Sequence, residues 1–174
     1  MATTALPTEE PAPDSIRGHC TCGAVRYRID VAPIIVHACH CRWCQRETGS
    51  AFAWNALVER DRLEVLQGEE SLEEIATPSA SGKGQRIVRC KHCRVALWSH
   101  YPGGGNAIAF LRVGTLEHPD AFPPDAHIFT STKQPWLLLP ADAKAYAEFY
   151  DPKTVWSEEQ RGRYRAAKER AGEA

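Results

Sequence analysis

Cys39-His40-Cys41-Arg42-Trp43-Cys44 is the densest of three cysteine clusters, the others being Cys20-Thr21-Cys22 and Cys90-Lys91-His92-Cys93. Cysteines one or two residues apart present both sulfurs to one tetrahedral ion, because zinc–sulfur bonds are only about 2.3 Å long and the backbone folds around the metal. The chain holds seven cysteines. Four complete one tetrahedron and three remain, the number that keeps a coordination position open for water or substrate. The clusters therefore read as two zinc ions per chain. A disulfide framework fits poorly, since seven half-cystines cannot all pair internally and no basic segment followed by an apolar run opens the chain. A redox reading of Cys41-Arg42-Trp43-Cys44 requires βαβ patterning around it, which is missing. Spacing leaves the partition open. Cys41 and Cys44 with Cys90 and Cys93 would make a ribbon-like pair of pairs; Cys20 and Cys22 with Cys90 and Cys93 leaves Cys39, Cys41 and Cys44 as a trio within one short segment, which is the cleaner division.

Outward from the clusters, Val25, Tyr27 and Ile29 alternate with Arg26 and Arg28, the period of a half-buried strand, and residues 33–39 form a short apolar run suited to a buried one. Further strands are expected over residues 52–58, 63–66, 72–77, 85–90, 95–101, 107–113 and 126–129. Gly82, Gly84 and Gly103 to Gly105 stand between them, so the reading is a mainly β, antiparallel domain over residues 17–140. One short helix is expected inside it, from Trp43 to about Thr48, closed by Gly49. Residues 1–16, rich in Pro, Ala, Thr and Glu, read as a disordered lead-in. Residues 141–174 read as a helical extension: a short helix over 141–150, then a charged helix opened by the capping box Ser157-Glu158-Glu159-Gln160 and running to about Arg170. Its thin apolar stripe predicts a solvated appendage, with a homodimer or partner contact as the sharper alternative.

Composition narrows the function. A formal charge of −1 and a pI near 6.7 lack the basic footprint of a nucleic-acid binder. No run of about 18 apolar residues is present, so no membrane span is expected. Metal-binding thiolates point to a reducing compartment, with the cytoplasm as the default.

The chain resembles the glutathione-dependent formaldehyde-activating enzyme family, which includes centromere protein V. The resemblance rests on residues 18–27, on Cys39 to Ser50, on Cys90 to Cys93, on Val113-Gly114-Thr115-Leu116 and on the stretch from His127-Ile128-Phe129 to Trp136. It implies a β-tent zinc fold with Cys20, Cys22, Cys90 and Cys93 on a structural zinc and Cys39, Cys41 and Cys44 on an open one. One departure is Arg94, where the family usually has glycine; a non-glycine residue in the left-handed region costs on the order of 1 to 2 kcal/mol.

Three thiolates on a divalent ion leave a net charge of −1, a weak Lewis acid to which a fourth thiolate is better suited than water. A free thiol of pKa about 8.5 is roughly 3% ionised at pH 7, so ionisation on the metal raises the reactive fraction by at most about thirtyfold. Positioning must supply the rest. The resemblance implies glutathione, or another small thiol, reacting with a small aldehyde such as formaldehyde in a carbon–sulfur lyase or synthase. Arg42, Arg46 and Lys133 are candidate partners for glutathione's carboxylates, and Trp43, Trp54, Phe129 and Trp136 candidate pocket walls. Each also has an ordinary role as a solvated cation or a core aromatic. His127 is a candidate proton carrier, whereas His40 and His92 are assigned as neighbours of the ligands rather than ligands. A non-catalytic zinc scaffold is the principal alternative. A chromosome-associated role, suggested by the centromere relative, lacks the basic tail it requires.

Overall fold

The computed structural model describes residues 15–173. The expected lead-in thus lies outside the described residues except for Ser15 and Ile16, and Ile16 already belongs to a strand. Among the described residues ten strands form two sheets. The smaller is β1 (Ile16–His19), β2 (Arg26–Ile29) and β5 (Leu63–Gln67), in the order β1-β2-β5. The larger adds β3 (Ile35–Cys39), β4 (Ala53–Glu59), β6 (Leu72–Thr77), β7 (Gln85–Cys90), β8 (Ala96–His100), β9 (Ile108–Arg112) and β10 (Ala126–Ile128), in the order β10-β3-β4-β9-β8-β7-β6. This is the mainly β class expected from the alternation, with the tent form that the resemblance implies, and β6 and β7 fall on the expected residues. One pair departs from the antiparallel pattern: β10 runs parallel to β3.

Period-two alternation sorts the large sheet into two faces. Val36, Ala56, Val58, Ala109 and Leu111 pack with Tyr27, Ile29 and Leu63 of the small sheet, and with Trp98, into one core. Ile35, Leu57 and Ile108 point the other way into a second. Tyr27 sits under the backbone of Gly18, where any Cβ would overlap its hydroxyl, and that hydroxyl is 2.6 Å from Thr115 Oγ1.

The second face is covered by the C-terminal extension, and here two expectations are corrected. Residues 141–150 form no helix. They run beside β10, where the His127 N–H donates to Lys144 O at 2.8 Å and the Tyr146 N–H to His127 O at 2.9 Å. The open edge of β10 offers main-chain partners that a lone short helix forgoes, and the segment shields that edge. Two helices follow, α2 (Pro152–Val155) and α3 (Glu158–Arg170), the latter opened by the Ser157 capping box. We number the earlier helix, Arg42–Thr48, α1. Nor is α3 a solvated appendage. Tyr150, Trp156 and Ala167 are buried in the second core with Ile34, Ile35, Leu57 and Ile108. Arg163 also grips Glu59 with two hydrogen bonds of 2.8 Å, and Glu59 is almost wholly buried. Beyond α3, Glu173 accepts hydrogen bonds from the N–H groups of Asn106 and Ala107. It lies where a side chain at residue 105 would stand, so that position, at φ +54°, favours glycine.

Candidate functional site

The two cysteine clusters lie on opposite faces of the large sheet. Cys20 and Cys22 follow β1, while Cys90 ends β7 and Cys93 precedes β8. The two turns share one hydrogen bond, Cys20 N–H to Val25 O and Cys90 N–H to Val95 O at 3.1 Å, and differ in the inner one, which runs three residues back from Gly23 N–H to Cys20 O and four back from Arg94 N–H to Cys90 O, both at 2.9 Å. Gly23 has φ +74° and Arg94 φ +64°. Arg94, like Gly23, is the left-handed residue directly after the second cysteine of its turn, and its guanidinium pairs with Glu73. The Cys20 and Cys22 sulfurs are 3.5 Å apart and those of Cys22 and Cys90 3.7 Å. A tetrahedron of sulfurs with bonds of about 2.3 Å has edges of about 3.8 Å, so this set fits a four-sulfur metal shell.

Cys39, Cys41 and Cys44 bring their sulfurs within 4.8 Å of one another. Cys39 ends β3, opposite Ala53 of β4, whose small side chain leaves room beside it. Cys41 caps α1, its sulfur accepting the Cys44 N–H at 3.4 Å. Gln45 fixes the loop, donating to His40 O at 2.6 Å and Thr132 O at 2.9 Å while Arg42 and Gln134 donate to its side-chain oxygen. Hydrogen bonds from Cys39 and then Cys44 pull Cys41 far below the ordinary thiol value, and the same bonds raise Cys39. Cys44 answers first to Cys39, which lowers it, but Cys41 and burial push it up to about 12; the charge of Arg112 works the other way. Three buried sulfurs this close together form a set that could hold a metal ion.

All three line a cavity of about 600 Å³ between the second sheet face and the C-terminal extension. Trp43 and Phe129 line it too. Phe129 is held at φ +55°, a backbone that costs about 1 to 3 kcal/mol for a non-glycine residue and is tolerated where the surroundings demand it. The other expected binding residues lie elsewhere. Trp54 donates to Phe122 O and packs against the first core. Trp136 is 69% exposed, and Lys133 donates to the carbonyls of Gln134 and Leu137. Arg42 braces Gln45, and Arg46 is exposed in the last turn of α1. His127 stacks on His40, with ring nitrogens 3.1 Å apart, and is not part of the cavity lining.

Sequence reasoning missed a polar row across the second face, His37 on β3, Asn55 on β4 and Arg112 on β9, which stand opposite one another in register. Arg112 is buried, donates to Asn55 and to Ser99 Oγ, and forms no ion pair among the described residues. A buried guanidinium needs a counter-charge, and the charge of Arg112 acts on Cys44 of the trio. His37 lines the cavity; burial lowers it to about 4, so it is neutral at pH 7. Trp156 donates to the Tyr150 hydroxyl at 2.7 Å, leaving that hydroxyl's proton for His37 Nε2 at 2.5 Å. The one available signal was that His37 stands two residues before Cys39, on the same strand face.

A β-tent domain with a four-cysteine set and a three-cysteine set beside a cavity, each of which could hold a metal ion, is the class that the fold and site define. The chain matches the family described as glutathione-dependent formaldehyde-activating enzyme over residues 15–132 and belongs to it. A Halomonas elongata protein provisionally named as such an enzyme is 28% identical over 137 residues, which is 71% of this chain and 80% of that one. A crystal structure of a Rhodobacter sphaeroides protein superposes with a TM-score of 0.46 at 21% identity, covering 58% of this chain and 87% of its own.

Proposed function

We infer that the protein is a zinc-dependent carbon–sulfur lyase or synthase that forms or breaks the bond between glutathione, or another small thiol, and an aldehyde carbon. The observation that carries this reading is the set of three buried cysteines within 4.8 Å of one another on the wall of a cavity. Cys20, Cys22, Cys90 and Cys93 hold one zinc for structure; Cys39, Cys41 and Cys44 hold the second. When bound, the second zinc supplies a fourth position at which a thiol ionises and remains nucleophilic.

The chain's own groups do the rest. Arg112 offsets the excess negative charge of three thiolates. His37, with Tyr150 behind it, faces the cavity and is placed to pass a proton to the oxygen left when sulfur adds to a carbonyl. All seven cysteines are free, which suits a reducing compartment such as the cytoplasm. Among the described residues no helix is long and apolar enough to cross a membrane.

NMR exchange spectroscopy on glutathione, formaldehyde and their adduct tests the reading. Zinc-loaded protein is expected to accelerate exchange over the uncatalysed background, and Cys41→Ser to abolish the acceleration while keeping one zinc per chain. If the wild-type protein neither binds millimolar glutathione nor changes the exchange rate, the enzyme reading fails in favour of a zinc-stabilised scaffold.

A further inference from the structure

The cavity is too large and too apolar for formaldehyde. At about 600 Å³ it has the space of roughly twenty waters at about 30 Å³ each, whereas formaldehyde has two heavy atoms. Its walls are built largely from aromatic pairs: Tyr101 with Phe110 at 4.7 Å between ring centres, Trp156 with Tyr164 at 5.3 Å, and Phe129 with Phe149 at 6.5 Å.

Glutathione does not account for this space. Its two carboxylates and its ammonium would be desolvated against aromatic rings, at a cost that burial without partners does not return. Arg161, on the same wall, is already engaged by Glu158 and by the carbonyls of Lys153 and Trp156. A second, more polar cleft adjoins the cavity and shares Trp43, Lys83 and Tyr101 with it. Lys83 in this cleft, which forms no ion pair among the described residues, suits a carboxylate of a charged peptide. The two spaces divide a thiol–aldehyde adduct between them, with the polar thiol carrier in the cleft and the aldehyde's substituent in the cavity.

The origin of the walls points the same way. The cysteines lie within the residues matched by the family, 15–132, but Phe149, Trp156 and Tyr164 come from beyond them. The extension adds apolar surface to the site without adding a metal ligand.

We propose that the aldehyde partner carries an aromatic ring, benzaldehyde-sized or larger, that fills this cavity. The proposal rests on the reading of the three-cysteine site given above. The step balances without a redox partner: the thiol sulfur loses its proton and bonds to the carbonyl carbon, the carbonyl π pair moves to oxygen, and that oxygen takes up a proton.

Two measurements on the zinc-loaded full chain test it. The first is calorimetric titration with 2-naphthalenemethanol and ethanol, unreactive stand-ins for aromatic and small aldehydes. Each buried carbon contributes roughly a fourfold gain in affinity, so the aromatic alcohol is expected to bind at least about a hundredfold tighter. Ala80→Trp, at an exposed position on the cavity lining, should weaken that binding at least about tenfold with metal content unchanged. The second is the exchange experiment repeated with 2-naphthaldehyde in place of formaldehyde, expected to give the larger acceleration over background. Acceleration with formaldehyde but not naphthaldehyde, or no preference for the aromatic alcohol, overturns the proposal and leaves the thiol–aldehyde reading standing. Tight, Ala80→Trp-sensitive binding with no acceleration for either aldehyde supports the aromatic ligand and overturns the catalytic reading instead.

Discussion

The two faces of the large sheet carry the same chemistry to different ends. On the first, four cysteines close a shell although Cys22 is exposed and Cys93 only half-buried. On the second, three cysteines are all buried yet look onto a cavity. On the proposed reading, exposure to bulk water is therefore not what separates a reactive metal site from a structural one. The number of protein ligands, and what stands opposite the missing one, separates a staple from a workplace.

The comparison breaks most visibly on the closed side. Cys90→Ala removes a ligand whose sulfur and backbone are both buried. Structural zinc carries apparent binding energies of about 10 to 16 kcal/mol, as large as a typical domain's whole stability of about 5 to 15. We expect loss of cooperative folding by circular dichroism together with loss of zinc by mass spectrometry; a variant that melts like wild type with both zincs would refute the staple.

On the open side, Arg163→Ala leaves Glu59 buried without its partner, and such a break costs about 3 to 5 kcal/mol. Urea unfolding should report that loss, and limited proteolysis should cut the extension before the β domain. Equal protection of both would mean that α3 contributes little to the second face.

Arg112→Gln sharpens the contrast at the metal. Removing a partner outside the ligand shell typically lowers metal affinity about 10- to 100-fold, so competition with a chromophoric chelator should find the second zinc weakened by that factor and the first untouched. The smallest effect belongs to Arg94→Gly, which relaxes a left-handed residue but loses an exposed ion pair and gives the unfolded chain more freedom. We expect a gain below about 1 kcal/mol by thermal unfolding, and a clear loss would show that the turn draws more on Glu73 than on its backbone.

Most of the first face was legible from sequence because its signals are local. Ligand spacing marks the turns, alternation marks β2, and the expected bounds of β6 and β7 agree with the structure. β1 escaped because its short run, Ile16 to His19, merges with the lead-in on one side and the cysteine turn on the other. The second face depends on relations that no window of sequence contains. Cross-strand register sets His37 beside Asn55 and Arg112, and the partner of residues 144–146 is the edge of β10 rather than another turn of helix. The stripe on α3 looked thin because its docking uses one small residue, Ala167, one aromatic, Tyr164, and a charge whose mate is 104 residues away.

The cover over the cavity also sets an order of assembly. Both cysteine clusters leave the ribosome before any residue from Phe149 onward, and at roughly 5 to 20 residues per second synthesis takes a few seconds to run from Ile128, the end of β10, to Tyr164. Throughout that interval the trio on β3 and α1 lies open on one side of a sheet whose strands are already made. On the proposed reading, a nascent chain could take up its second metal ion before Trp156 and Tyr164 add their walls to the cavity.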